Sequence, residues 1–299
     1  MTCTKTYKVA EHYFTISMNE DSFLWDRMIQ SYGPFEATPE NIPECAFSLR
    51  LCEEVVAIDP KLVYSNRETV EEGFVLIDVY KTADGHYLEL THPGSSELNC
   101  KLLFDNDCRK AQAALYGKTH EQWSIMNTAV DFCFLLSTAC LDTVLTHASS
   151  IIYKGKAYLF LGKSGTGKST HSRMWLSALE NVVLMNDDHP VVRLAEDGTP
   201  IAYGSPWSGK THCYKNICAP VGGVIRISRA PHNKARRLSP VESYASLMTS
   251  CSGMTWYSNM ADGRDRTIQG VISRVPCWVM ECLPDEDAAR VCSETVTGV

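Results

Sequence analysis

The stretch Gly162-Lys163-Ser164-Gly165-Thr166-Gly167-Lys168-Ser169 constrains this chain more than any other, because it fills the pattern G-x-x-x-x-G-K-[ST] at every position. Glycines at 162, 165 and 167 let successive backbone N–H groups turn inward without Cβ clashes, which is what a concave anion site needs. The flanks agree with this reading. Residues 151–153 and 157–161 are β-rich runs on either side of Lys154-Gly155-Lys156, so they predict a tight hairpin whose second strand runs into the glycines. Met174, Leu176 and Leu179 then predict a helix starting near Lys168, with its positive dipole end beneath bound phosphate. In such a loop Lys168 contacts the β- and γ-phosphates and Ser169 offers a hydroxyl to Mg²⁺, a hard ion that prefers oxygen. Thr170 is counted with the same nucleotide-contacting run, while Lys163 is either a further phosphate contact or a solvated surface charge.

The apolar run that starts at Asn181 ends in the adjacent carboxylates Asp187 and Asp188, followed by His189. Ligand chemistry in α/β sheets collects at strand C-terminal ends. Phosphoryl transfer needs one carboxylate to hold the metal and another to accept the proton of the attacking hydroxyl, and two adjacent Asp residues can fill both roles. The alternative is an acidic turn that merely closes a strand.

The hairpin, GKSGTGKST and LMNDDH together resemble the catalytic domain of the HPr kinase/phosphorylases and their relatives, the ATP-dependent phosphoenolpyruvate carboxykinases, over residues 147–207. The resemblance implies a mixed-sheet domain of that type with ATP and Mg²⁺ as cofactors. By position it implies that Lys168 binds phosphate, Ser169 and Asp188 serve the metal, and Asp187 is the base. His147, at the start of the hairpin, matches a histidine near the active site of HPr kinases, against the alternative of a structural residue. Gly204-Ser205-Pro206-Trp207-Ser208-Gly209-Lys210 is similar to the G-x-P-W loop of HPr-kinase-related proteins. Trp207 and Lys210 are therefore candidates for acceptor contact, or else an aromatic-anchored turn and a solvated charge. No E-I-R-G-type segment follows the aspartates, so the resemblance does not extend to HPr as the acceptor.

Residues 1–118 read as a β-rich region, with strands expected at 45–51, 74–81 and 86–90 and a turn at Ala83-Asp84-Gly85. A long helix is expected over about 121–145, where Trp123, Met126, Val130, Phe134 and Leu141 fall at helical spacing. It is expected to belong with the nucleotide-binding half, giving domains of 1–118 and 119–299. Later elements complete an α/β domain, with a helix over 240–248, a strand over 276–283 and a terminal helix opened by Asp285. Arg226, Arg229, Arg236 and Arg237 form either a solvated basic face or a guide for an acidic or phosphorylated partner.

Composition narrows the function classes. Twenty-eight Lys and Arg against 35 Asp and Glu give a net charge of −7, so no global positive field draws the chain to nucleic acid or an anionic membrane. Thirteen cysteines without a single C-x-x-C spacing read as small apolar core thiols of a cytoplasmic protein, not as a zinc site or a disulfide framework. Neither a signal peptide nor a membrane span is expected. The function expected is an ATP-dependent kinase acting on a hydroxyl, such as a serine of a protein or peptide. The alternatives are an NTPase module, though not an ABC-type one because L-S-G-G-Q is missing, and a non-catalytic peptide-binding member of the fold.

Overall fold

Alternation of apolar and polar residues builds two separate sheets, one in each of two units, Met1–Thr138 and Ala139–Val299. The computed structural model describes residues 1–38, 44–70, 73–254 and 256–298. In the first unit the described strands are β1 (Thr2–Val9), β2 (His12–Asn19), β3 (Phe47–Leu51), β4 (Lys61–Ser65), β5 (Leu76–Lys81), β6 (Gly85–Thr91), β7 (Cys100–Asp105) and β8 (Lys110–Leu115). They form one mixed sheet in the order β1-β2-β3-β8-β7-β6-β5-β4. Inward positions at every second residue of β2, among them Phe14 and Ile16, supply its core, and Phe14 stacks on Phe47 of β3 with ring centroids 4.7 Å apart.

Among the described residues this unit carries the α-helices α1 (Leu24–Tyr32) and α2 (Thr119–Thr138), with a short 3-10 turn at Gly33–Phe35 between them. Helix α2 packs on β3, β7 and β8, and Phe134 meets Phe14 edge-on. The expected grouping of this helix with the nucleotide-binding half is thereby corrected: its apolar residues, buried on nearly every side from Ile125 onward, complete the first core. The helix also stops at Thr138, short of the expected 145. Asp142 takes a positive φ of 52°, and Thr143–Leu145 continues as a strand, because a short apolar run serves either conformation. The turn before β6 is present, but neither Asp84 nor Gly85 has positive φ. Gly85 is needed for close approach, since a Cβ there would lie 1.8 Å from the carbonyl oxygen of Phe104.

The second unit contains β9 (Thr143–Leu145), β10 (Ala148–Tyr153), β11 (Lys156–Leu161), α3 (Lys168–Ala178), β12 (Val183–Asp188), β13 (Val191–Leu194), β14 (Pro200–Tyr203), β15 (Cys218–Arg229), β16 (Lys234–Arg237), α4 (Pro240–Met248), α5 (Ser258–Ile272), β17 (Cys277–Cys282) and α6 (Glu286–Thr297). Strands run in the order β12-β10-β11-β15-β14-β13-β9, and β17 joins β15 in parallel and carries β16 on its other side. Period-2 alternation in β11 explains the layering. Ala157, Leu159 and Leu161 face a core completed by Leu247 of α4 and by Ile268 and Val271 of α5. Tyr158 and Phe160 face the opposite core, with Trp175 of α3 and Ala288 and Cys292 of α6. Ser239 and Glu242 form a capping box at α4, and the Asp285 carboxylate accepts from the Ala288 amide at the start of α6. Among the described residues, no helix is long and apolar enough to cross a membrane.

Candidate functional site

Lys154 and Gly155 both adopt positive φ, 48° and 73°, the geometry of a two-residue type I′ hairpin, and they fold β10 antiparallel onto β11. Leu161 at the end of β11 lies opposite Ala148 at the start of β10. Ala148 in turn pairs with Asp188, and Ser149 with Asp187, across the β10–β12 ladder. This register brings three chain ends side by side: the exit of β11 into the glycine loop, the entry of β10 at His147, and the exit of β12 at Asp187-Asp188-His189.

The loop is held by its own atoms. Gly162, Gly165 and Gly167 have φ of 151°, 76° and 111°, a region closed to most L-residues, and Gly167 is the left-handed cap from which α3 departs. Thr166 donates from its amide and its hydroxyl to the carbonyl of Lys163, at 3.2 and 2.7 Å. Lys168 is buried, and its ammonium donates back to the carbonyl of Gly162 at 2.9 Å and toward that of Lys163 at 3.4 Å. Burial lowers the pKa of this ammonium, while the carboxylates of Asp188 and Asp187 act in the opposite sense. Ser169 and Thr170 lie half-buried in the first turn of α3, whereas Lys163 and Ser164 are exposed. The Arg229 guanidinium, at the end of β15, donates to the carbonyl of Gly165.

Asp187 is buried, and its Oδ1 has no hydrogen-bond partner. A buried carboxylate oxygen is costly to leave unsatisfied, so this atom is a candidate to receive a proton or a cation. Asp188 is half-exposed, with its Oδ1 3.4 Å from Nδ1 of His147. His147 has its pKa lowered by partial burial first and by the Lys168 ammonium second, with Asp188 opposing and His189 adding to the lowering. One ligand atom each from His147, Asp188 and His189 lies within 4.8 Å of the others, a donor set able to hold a divalent ion.

Asn186 fixes this corner. Its Oδ1 accepts from the amides of Asp188 and His189, both at 2.9 Å, which sets the turn after the two aspartates. Its Nδ2 donates to the carbonyl of Trp207 at 3.0 Å and the hydroxyl of Ser205 at 3.1 Å, which ties the 204–210 loop to the same turn. Gly209 backs Asp188 closely enough that a Cβ would lie 3.3 Å from its Cγ.

The structure thus brings together His147, Lys168, Asp187 and Asp188. Trp207 is not an open wall: it is 3% exposed and belongs to the interior, while Lys210 faces solvent. The four arginines separate. Arg236 pairs with Glu242 at 2.9 Å and Arg237 lies over the ring of Trp278, whereas Arg226 and Arg229 line a cavity of about 400 Å³ along the glycine loop. Sequence reasoning missed Asn186, His189 and Ser205. His189 had a usable signal in directly following the two aspartates, but the strut role of Asn186 depends on a loop almost twenty residues away. No protein-family model matches the chain, and no curated protein matches it either.

Proposed function

We propose that this protein is an ATP-dependent phosphotransferase that moves the γ-phosphoryl group of ATP to a hydroxyl, in the manner of the HPr-kinase-like enzymes, with a serine of a protein or peptide as the natural class of acceptor. The observation that carries the reading is the convergence of the Lys168 ammonium with the carboxylates of Asp187 and Asp188 at the mouth of a complete phosphate-binding loop. The strand order supports the family resemblance too, because β11 has its antiparallel hairpin partner on one side and the parallel β15 on the other.

The residues present fit a magnesium nucleotide. Backbone amides and Lys168 suit the phosphates, and Ser169 with Asp188 would hold Mg²⁺, with His147 and His189 beside Asp188. Mg²⁺ supplies neutralisation of charge on the phosphate oxygens. Asp187 takes the proton of the acceptor hydroxyl as the new O–P bond forms, the bond from the γ-phosphorus to the β–γ bridging oxygen breaks, and ADP leaves with that electron pair. Lys168, drawn from the loop carbonyls it now bonds, steadies the phosphate charge. Thirteen free thiols support a reducing, cytoplasmic setting for this reaction.

Incubation with γ-labelled ATP and a panel of hydroxyl-bearing peptides and proteins tests the proposal. Label on an acceptor supports the kinase, phosphate release alone points to an NTPase module, and neither points to a binding module.

A further inference from the structure

Helix α5 buries Met260, Ile268 and Val271 along one face, and helical spacing puts Arg264 on the same row. A guanidinium set among core positions calls for a partner. The neighbouring acids do not supply one. The carboxylate of Asp265 accepts from the Tyr244 hydroxyl and the Gln269 amide, and Asp142 is taken by Arg266. Among the described residues Arg264 forms no ion pair, and its Nε is buried without a hydrogen-bond partner. Nε alone of its three nitrogens is sealed in this way. The residue as a whole is partly exposed, which leaves the two Nη groups to meet an oxyanion as a fork.

A second set of contacts fixes where this fork stands. The segment after α4 is bonded to the chain that enters β10: the His147 amide donates to the Ser250 carbonyl at 2.6 Å, the Ser252 amide donates to the Leu145 carbonyl at 2.9 Å, and Thr146 bridges Cys251. One residue further on, Gly253 rests on the guanidinium so closely that a Cβ would lie 1.8 Å from Nη1 and 2.4 Å from Cζ. Arg264 and His147 therefore flank one short segment, and His147 is itself 3.4 Å from Asp188. Arg264 does not line the glycine-loop cavity that holds Arg226 and Arg229, which sets it apart from the groups along that loop. A planar fork of N–H donors matches a carboxylate in two parallel hydrogen bonds.

Resting on the phosphotransferase reading above, we infer that Arg264 anchors a carboxylate of the acceptor, so that the acceptor is a peptide or protein segment with an acidic residue near its reacting hydroxyl.

Arginine labelling by phenylglyoxal, mapped by mass spectrometry on the full chain with Mg-ADP present, tests this. The probes are two capped tripeptides, a serine followed by two glutamates and a serine followed by two glutamines, together with inorganic phosphate. The glutamate peptide is expected to slow labelling of Arg264 at least about threefold, and the glutamine peptide to leave it unchanged. In Gly253→Ala the added methyl displaces the guanidinium, so Arg264 is expected to react still but to lose this protection. In transfer assays the wild type is expected to prefer the glutamate peptide about tenfold or more in kcat/KM, and Arg264→Gln to bring that ratio to about one. An Arg264 that never reacts, equal protection by the two peptides, or protection by phosphate alone would overturn the inference. A KM for ATP that rises in Arg264→Gln as much as that of the peptide would place the guanidinium on the nucleotide and overturn it as well. Protection is read without turnover, so intact protection with no transfer to any acceptor counts against the phosphotransferase reading and leaves the carboxylate site standing.

Discussion

The side-chain amide of Asn186 donates to the main-chain carbonyl of Trp207 at 3.0 Å, so the turn that carries the two aspartates and the loop that follows β14 are held by a single buried residue. Because the same side chain also accepts from the amides of Asp188 and His189, its loss orphans several buried polar groups at once. Asn186→Leu is expected to cost about 3 kcal/mol or more in stability. Asn186→Asp keeps the two acceptor contacts but loses the donor and adds a charge beside Asp187 and Asp188, so it is expected to lower turnover more than nucleotide affinity. Urea unfolding and steady-state kinetics on the two variants check this, and wild-type values for both would remove Asn186 as the strut.

Substitutions at Asp187 and Lys168 are expected to separate transfer from nucleotide binding. Asp187→Asn is close in shape but cannot accept a proton, so transfer is expected to fall about a hundredfold or more while nucleotide affinity changes by no more than a few fold. Lys168→Ala removes a buried ammonium, and nucleotide binding itself is expected to weaken along with turnover. Equal nucleotide affinity for Lys168→Ala and wild type by calorimetry would show that the ammonium does not contact phosphate.

Much of this site was legible because its parts are local in sequence. The loop from Gly162 to Ser169 announces itself by glycine spacing, and the Lys154-Gly155 hairpin by turn chemistry, since both are decided within a few residues. Strand order is not local. Nothing in the composition of β12 says that it pairs with β10, yet that ladder is what sets His147 beside Asp188. Helix α2 shows the same limit from another side: its spacing was readable, but its apolar surface does not say which sheet it covers. Trp207 left two readings open for a related reason. A large aromatic in a Gly- and Pro-rich loop suggests an exposed contact, and only the hydrogen bonds of Asn186 and Ser205 reveal that the loop folds inward.

Trp207 and Lys210 therefore part company on substitution. Trp207→Ala removes a buried indole and is expected to destabilise the fold by about 3–5 kcal/mol. Lys210→Ala, at an exposed position, is expected to leave stability and the KM for ATP unchanged while raising the KM of an acidic peptide acceptor several fold. An unaltered acceptor KM would assign Lys210 to the solvated surface.

The buried imidazole of His171 gives the second unit a predicted acid limb. Its pKa is lowered from 6.5 to about 4 by burial, so the folded protein keeps it neutral where the unfolded chain protonates it. Between these two values the unfolded state binds more protons, and stability must fall as pH falls. The imidazole costs the folded state nothing above pH 6.5, and the stability lost as pH falls from there grows to about 3 kcal/mol by pH 4. His171→Gln cannot titrate, so its stability is expected to be flatter over this window than that of the wild type, even if it starts lower from lost packing against Phe160 and Trp175. Urea unfolding followed by Trp fluorescence at half-unit steps from pH 7 to pH 4 measures both slopes. Parallel curves for the two proteins would show that the imidazole titrates in the folded state as it does in the unfolded chain.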